Sequence, residues 1–139
     1  MRTNKILCVN GIDMSIITKN SLDEIWASEG SNNYACFADL KGKHGVYIFR
    51  DQNCQILYVG EARKQDLKTR VIQNFSESDN GGTFRKNFMS EKHLDFGGFK
   101  EEMKLATLIF IVSEKSDMLI RALESLLILT LNPKYNKDI

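Results

Sequence analysis

Two β-prone runs open the chain, Ile6-Leu7-Cys8-Val9 and Ile12 to Ile17, with Asn10-Gly11 between them. That dipeptide tolerates the positive φ angles of a tight turn, so the segment predicts a β-hairpin. Ser21-Leu22-Asp23-Glu24 has the form of a capping box, Ser at the cap and Glu three residues on. A short helix should run from Leu22 to about Ala27, and Glu29-Gly30-Ser31-Asn32-Asn33 should end it. Tyr34 and Phe37 read as packing residues.

A second hairpin follows. Val46-Tyr47-Ile48-Phe49 and Ile56-Leu57-Tyr58-Val59 are β-prone, and the polar Asp51-Gln52-Asn53 breaks them. A loop of even length centred on Gln52 and Asn53 sets Tyr47 directly opposite Tyr58, with both phenols on one face. A three-residue loop slips the register by one and separates them. Gly60 ends the second strand and leaves room for a close approach.

Beyond Gly60 the period becomes helical. Lys64 to Phe75 carries Leu67, Val71 and Phe75 at four-residue spacing, with Arg70 and Asn74 on a neighbouring row. Ser76 to Gly82 is a polar, glycine-ended loop. Thr83 to about His93 predicts a second helix with Phe84 and Phe88 on one seam and Thr83 as its cap. Its glycine-preceded start, followed by Arg85-Lys86, would suit a phosphate backbone, and equally a plain surface helix. Asp95 to Lys100 reads as a loop, and Leu105 to Val112 as a buried central strand. Asp117 to Leu131 is a helix apolar nearly all round, which implies burial on most sides. Glu124 stands in its middle, where a carboxylate is costly unless it is paired or holds a metal. Asn132-Pro133 stops the helix.

At 139 residues, 42% hydrophobic and 27% charged, the chain is one globular domain. A net charge of +1 excludes a polybasic coat, so nucleic-acid contact must come from local patches. No apolar run reaches the roughly 20 residues of a membrane span, and the start lacks the form of a signal peptide. Cys8, Cys36 and Cys54 have no metal-ligand spacing and suit a reduced, cytoplasmic setting.

Gly45-Val46-Tyr47, Tyr58-Val59-Gly60, Arg70, Glu124 within Ala122 to Ile128, and Pro133-Lys134-Tyr135-Asn136 together resemble the GIY-YIG nucleases, in order and in approximate spacing. The resemblance covers residues 45 to 136. It implies an α+β domain with a central antiparallel sheet flanked by helices at 45–139. Residues 1–44 then form an N-terminal extension of hairpin and short helix within the same unit.

The resemblance further implies a DNA endonuclease or nickase that hydrolyses phosphodiesters with one divalent metal, Mg2+ or Mn2+. Glu124 is then the metal ligand, Arg70 the phosphate holder, Tyr47 the general base, Tyr58 a hydrogen-bonding partner of phosphate or water, and Asn136 a brace for the metal region. The twelve-residue spacing from Glu124 favours Asn136 over its rival Asn132. Lys64, Lys68, Arg85 and Lys86 are candidates for contact with DNA. Many family members carry His or Tyr where this chain has Asn74, which hydrogen-bonds but does not shuttle a proton near neutral pH. Tyr34, His44 or His93 are candidates to fill that role, and an inactive nucleic-acid-binding module is the alternative reading. Target choice is left to residues 1–44, to residues 76–100, to a homodimer or to a partner protein.

Overall fold

The computed structural model describes residues 2–9, 12–19 and 34–136. Strands β1 (Arg2–Val9), β2 (Ile12–Lys19), β3 (His44–Arg50), β4 (Ile56–Ala62) and β5 (Thr107–Ser113) form one antiparallel sheet in the order β1-β2-β5-β3-β4. A 3-10 turn (Ala35–Leu40) and helices α1 (Leu67–Ile72), α2 (Thr83–Lys92), α3 (Phe96–Met103) and α4 (Asp117–Leu131) cover it. The α+β reading therefore holds. Val9 pairs with Ile12, as the Asn10-Gly11 hairpin requires, although that turn and the helix expected at 22–27 lie outside the described residues. β2 pairs with β5 from Ser15–Val112 to Lys19–Leu108, so the front hairpin extends the same sheet. Lys19 also meets Asp39 of the 3-10 turn at 3.5 Å.

Alternation along β3 and β4 sends side chains into two cores. Tyr47, Phe49 and Tyr58 join Phe37, Phe75, Phe84, Phe99 and Phe110 beneath the 3-10 turn and α1 to α3. Val46, Ile48 and Val59 face α4, meeting Ile120, Leu123 and Leu127. With both faces covered, every residue from Gly45 to Phe49 is buried.

The register of β3 against β4 differs from both readings of the loop. The turn is the three-residue type: Asp51 N–H donates to the Gln55 carbonyl, and Cys54 takes the left-handed conformation at φ 65°. The Asp51 carboxylate holds it by accepting from the amides of Asn53 and Gln55 at 2.9 and 2.8 Å. Such a loop alone would separate the tyrosines. A bulge restores parity, because Phe49 pairs with Tyr58 and Arg50 with Ile56, leaving Leu57 unopposed. Tyr47 consequently pairs with Gly60 rather than with Tyr58, and the two rings lie diagonally on the same face with centroids 6.2 Å apart.

Gly60 is where this arrangement is tightest. A Cβ there would run into the phenol end of Tyr47, so that end of the ring occupies the space a side chain would take. Gly45 needs its glycine for another reason: its φ is 151°, and a Cβ would strike the Ile111 carbonyl across the β3–β5 pairing.

Several element boundaries moved. α1 starts at Leu67 rather than Lys64 because the Asp66 side chain accepts from Thr69 N–H and caps it. Past Ile72 the chain tightens into three-residue bonds, Asn74 to Val71 and Phe75 to Ile72, which still deliver Phe75 to the core. The expected loop at 95–100 is helix α3. Its two glycines weaken propensity, yet the Asp95 cap and the burial of Phe99 and Met103, one turn apart, outweigh them. The strand expected from Leu105 starts at Thr107, with Leu105 exposed. α4 matches its predicted span, but only Ile120 is fully buried, and Met118, Leu126 and Leu129 face solvent. The sheet is wide enough to cover only one stripe of that helix.

The stretch after α4 closes the outer edge of the sheet. Asn132 caps the helix in the left-handed conformation, accounting for this rival asparagine. Lys134 and Tyr135 then donate their amides to the carbonyls of Ile56 and Leu57, and Asn136 grips both backbone groups of Val59, at 2.9 Å and 2.8 Å. The free edge of β4 is thereby paired.

Gly60→Ala is expected to lower stability by about 1–3 kcal/mol through overpacking against the phenol. The loss should largely vanish when the ring is already absent. A double-mutant cycle with Tyr47→Ala, followed by thermal melting, measures this coupling.

Candidate active site

The hairpin register places Tyr47 and Tyr58 on the face of the sheet covered by α1 to α3, one wholly buried and the other nearly so. Arg70, half-buried on α1, reaches across the end of β4. Its Nε–H donates to the Glu61 carbonyl at 3.3 Å, and its Nη1–H groups donate to the Gln73 side chain and, at 3.4 Å, to the Gly81 carbonyl. Glu124 approaches from α4, half-buried.

These groups act on one another electrostatically. Burial raises the Tyr47 hydroxyl well above the ordinary phenol range and Tyr58 adds to it, while Arg70 and a hydrogen bond from Asn74 pull down and Glu124 pushes up. Tyr58 is raised by burial, opposed by Arg70 and reinforced by Glu124 and Glu61. Glu124 is raised by burial and by the Glu61 carboxylate, against Arg63, Arg70 and Arg121. An arginine amid two phenols and a carboxylate makes a compact site of alternating charge at the sheet edge.

The structure thus gathers Tyr47, Tyr58, Arg70, Asn74 and Glu124. Asn136 is tied to Val59, so it braces the strand that carries Tyr58. His44 is held by the Ala62 carbonyl at 3.3 Å and acts on Asp66. His93 is the exposed left-handed cap of α2, and Tyr34 lies against Phe75 and Ser76.

Among the DNA-contact candidates, Lys64 and Lys86 are exposed and Lys68 is half-buried on the outer side of α1. Arg85 differs. It is 2% exposed, and its guanidinium donates to the carbonyls of Gln73, Ser76 and Asp79. A side chain so engaged knits the 73–79 loop together and is withdrawn from any phosphate. Arg85-Lys86 as a basic pair is corrected to one buried structural arginine and one exposed lysine. The start of α2 has Gly82, not Thr83, at its cap position.

Sequence reasoning missed Glu61 and Arg63. Arg63 meets Glu61 at 2.7 Å and Asp117, in the first turn of α4, at 3.7 Å, joining the end of β4 to the helix that carries Glu124. Their position just past Tyr58-Val59-Gly60 was the available signal.

An antiparallel sheet that brings two phenols, an arginine and a carboxylate together has the equipment of a nuclease domain. Residues 43–136 match the family model of the GIY-YIG catalytic domain, and the chain belongs to the GIY-YIG family. The chain is also 33% identical over 102 residues to UvrABC system protein C of Helicobacter pylori strain P12, and equally to that of strain ATCC 700392 / 26695. The alignment takes in 70% of this chain but 15% of each of those proteins, so the chain spans a small part of their length. No helix among the described residues is long and apolar enough to cross a membrane.

The raised carboxyl of Glu124 has a signed consequence for stability. The folded state binds this proton more tightly than the unfolded chain does, so stability falls as pH rises through the glutamate range. In metal-free buffer Glu124→Gln should therefore melt higher than the wild type at neutral pH. The difference should disappear below about pH 4, under the unfolded glutamate value. Melting temperatures of the two proteins between pH 3 and 8 give the comparison.

Proposed function

We propose that this domain is a divalent-metal-dependent endonuclease or nickase that hydrolyses DNA phosphodiesters. The observation that supports the reading is the convergence of Tyr47 and Tyr58, their rings 6.2 Å apart, with Arg70 tied to the Glu61 carbonyl at the end of the same hairpin and Glu124 near enough to act on both phenols.

Glu124 suits Mg2+ or Mn2+. Its carboxylate is a hard oxygen donor, and both burial and Glu61 disfavour its free anion, a penalty that a cation relieves. Among the described residues no three His, Cys, Asp or Glu side chains come together, which accords with a cation held by one or two carboxylates and otherwise by water and phosphate. When bound, the cation offsets negative charge on the scissile phosphate.

Arg70 is already oriented by Glu61, Gln73 and Gly81, and its planar fork fits a phosphate oxygen pair. Tyr47 acts as its phenolate, having given up its own proton, and takes the proton of the attacking water through its oxygen; Tyr58 holds the phosphate or that water, and Lys64, Lys68 and Lys86 bind the flanking backbone. Choice of target falls to residues 1–44, to residues 76–100, to a second copy or to a partner protein.

Two outcomes test this. Plasmid cleavage should require Mg2+ or Mn2+, and Glu124→Gln should abolish it in a folded protein. Arg70→Ala should lower single-turnover cleavage about a hundredfold or more, the scale for losing one oriented transition-state donor, with little loss of DNA affinity. Arg70→Lys should rescue poorly. A change in affinity and its salt dependence alone, by about one phosphate contact, would instead mark a DNA-binding module without chemistry. Because Tyr47 titrates above the ordinary phenol range, the cleavage rate should rise about tenfold per pH unit from 6 to 9 without a plateau.

A further inference from the structure

We infer that Asn74 is a positioning residue whose amide is locked between the start of α2 and Tyr47, so that its Nδ2–H donates to the Tyr47 hydroxyl oxygen. This rests on the reading of Tyr47 as the group beside the attacking water.

Asn74 is 1% exposed, so both halves of its amide need partners inside the protein. Its Oδ1 accepts from the Arg85 N–H at 3.2 Å. Arg85 is the third residue of α2, the position an N-cap side chain ordinarily serves, and Gly82 at the cap has no side chain to do so. Asn74 therefore caps α2 from a different segment. That bond settles the orientation of the amide. A backbone N–H can only donate, so the carbonyl oxygen must face α2 and the NH2 group must face away from it. The side-chain hydrogen bond with Tyr47 lies on that other side.

The lock is reinforced from below. The Arg85 guanidinium holds the carbonyls of Gln73, Ser76 and Asp79, at 2.6 Å for the first and last, so the segment bearing Asn74 cannot swing. Arg70, one turn earlier, donates to Glu61, Gln73 and Gly81 and acts on the same phenol through its charge, in the same direction as Asn74.

An oxygen that accepts from Asn74 must direct its own proton away from Asn74. Asn74 thus favours the phenolate and steers the phenol proton without carrying a proton itself. On this account the shuttle offered by His or Tyr is dispensable at position 74, and none of Tyr34, His44 or His93 needs to replace it.

Asn74→Asp separates the two halves of the role. Its carboxylate still accepts from Arg85 N–H at a helix N-terminus, where negative charge is favourable, so melting should stay within a few degrees of wild type. The donor to Tyr47 is lost and replaced by a like charge. Single-turnover cleavage in Mg2+ should fall about a hundredfold with DNA affinity unchanged, whereas Asn74→Ala should also melt lower. A folded Asn74→Asp protein that cleaves at the wild-type rate would overturn the inference.

A readout independent of catalysis is the NMR signal of the Asn74 side-chain amide protons in the 139-residue chain. They should exchange slowly and shift in Tyr47→Phe. Unmoved resonances would overturn the inference even if Asn74→Asp failed to fold. A wild type that cleaves no DNA would sink the nuclease reading alone, since the amide signals would still report the contact with Tyr47.

Discussion

The phenol end of Tyr47 resting over Gly60 is the contact on which the site depends. It requires β3 and β4 in one register, a glycine opposite the ring, and a helical layer dense enough to press the ring down. Buried on every side, the hydroxyl meets the few polar groups able to follow it inward, Asn74 and the field of Arg70 among them. A residue larger than glycine at 60 would displace the oxygen that those groups address. The Tyr-Val-Gly tripeptide is thus a geometric statement about its neighbour across the hairpin as much as a chemical one.

Charge is organised around the same edge. Arg70 is oriented by a main-chain carbonyl of β4, and Arg63 joins the side chains at the end of β4 to the first turn of α4. The two arginines therefore reference both the phenols and the carboxylate to a single strand. The Glu124 carboxyl is held by this framework in surroundings that disfavour its charge, a strained electrostatic state that a cation would relax.

Much of this was legible in the sequence because local periodicity and side-chain chemistry agreed there. Leu67, Val71 and Phe75 announced the helix that brings Arg70, and the span of α4 was readable from its apolar density between Ser116 and Pro133. The exact partner of Tyr47 was not legible. A three-residue loop and a bulge at Leu57 each shift the register by one, and nothing in a single strand records a bulge formed with another. α3 escaped notice because two glycines masked a helix that tertiary burial of Phe99 and Met103 creates. Arg85 and Lys86 look alike on paper. Only the packing shows that the first is buried on three main-chain carbonyls while the second stays exposed, its Nζ donating to the Asn80 carbonyl at 2.7 Å.

The grip of Asn136 on Val59 joins residues 77 positions apart. It has a bearing on the order in which the molecule matures. As the chain leaves the ribosome, β3 and β4 can pair early, but β4 keeps an open edge until residues 134–136 have emerged. β5, which fills the middle of the sheet between β2 and β3, also arrives late. The phenols are consequently made long before they are held in place, and a nascent chain has no assembled site until nearly the whole domain has been synthesised. Long-range closure of this kind slows folding and leaves a sticky strand exposed meanwhile. The protein gains in return a nuclease that assembles its site only on completion.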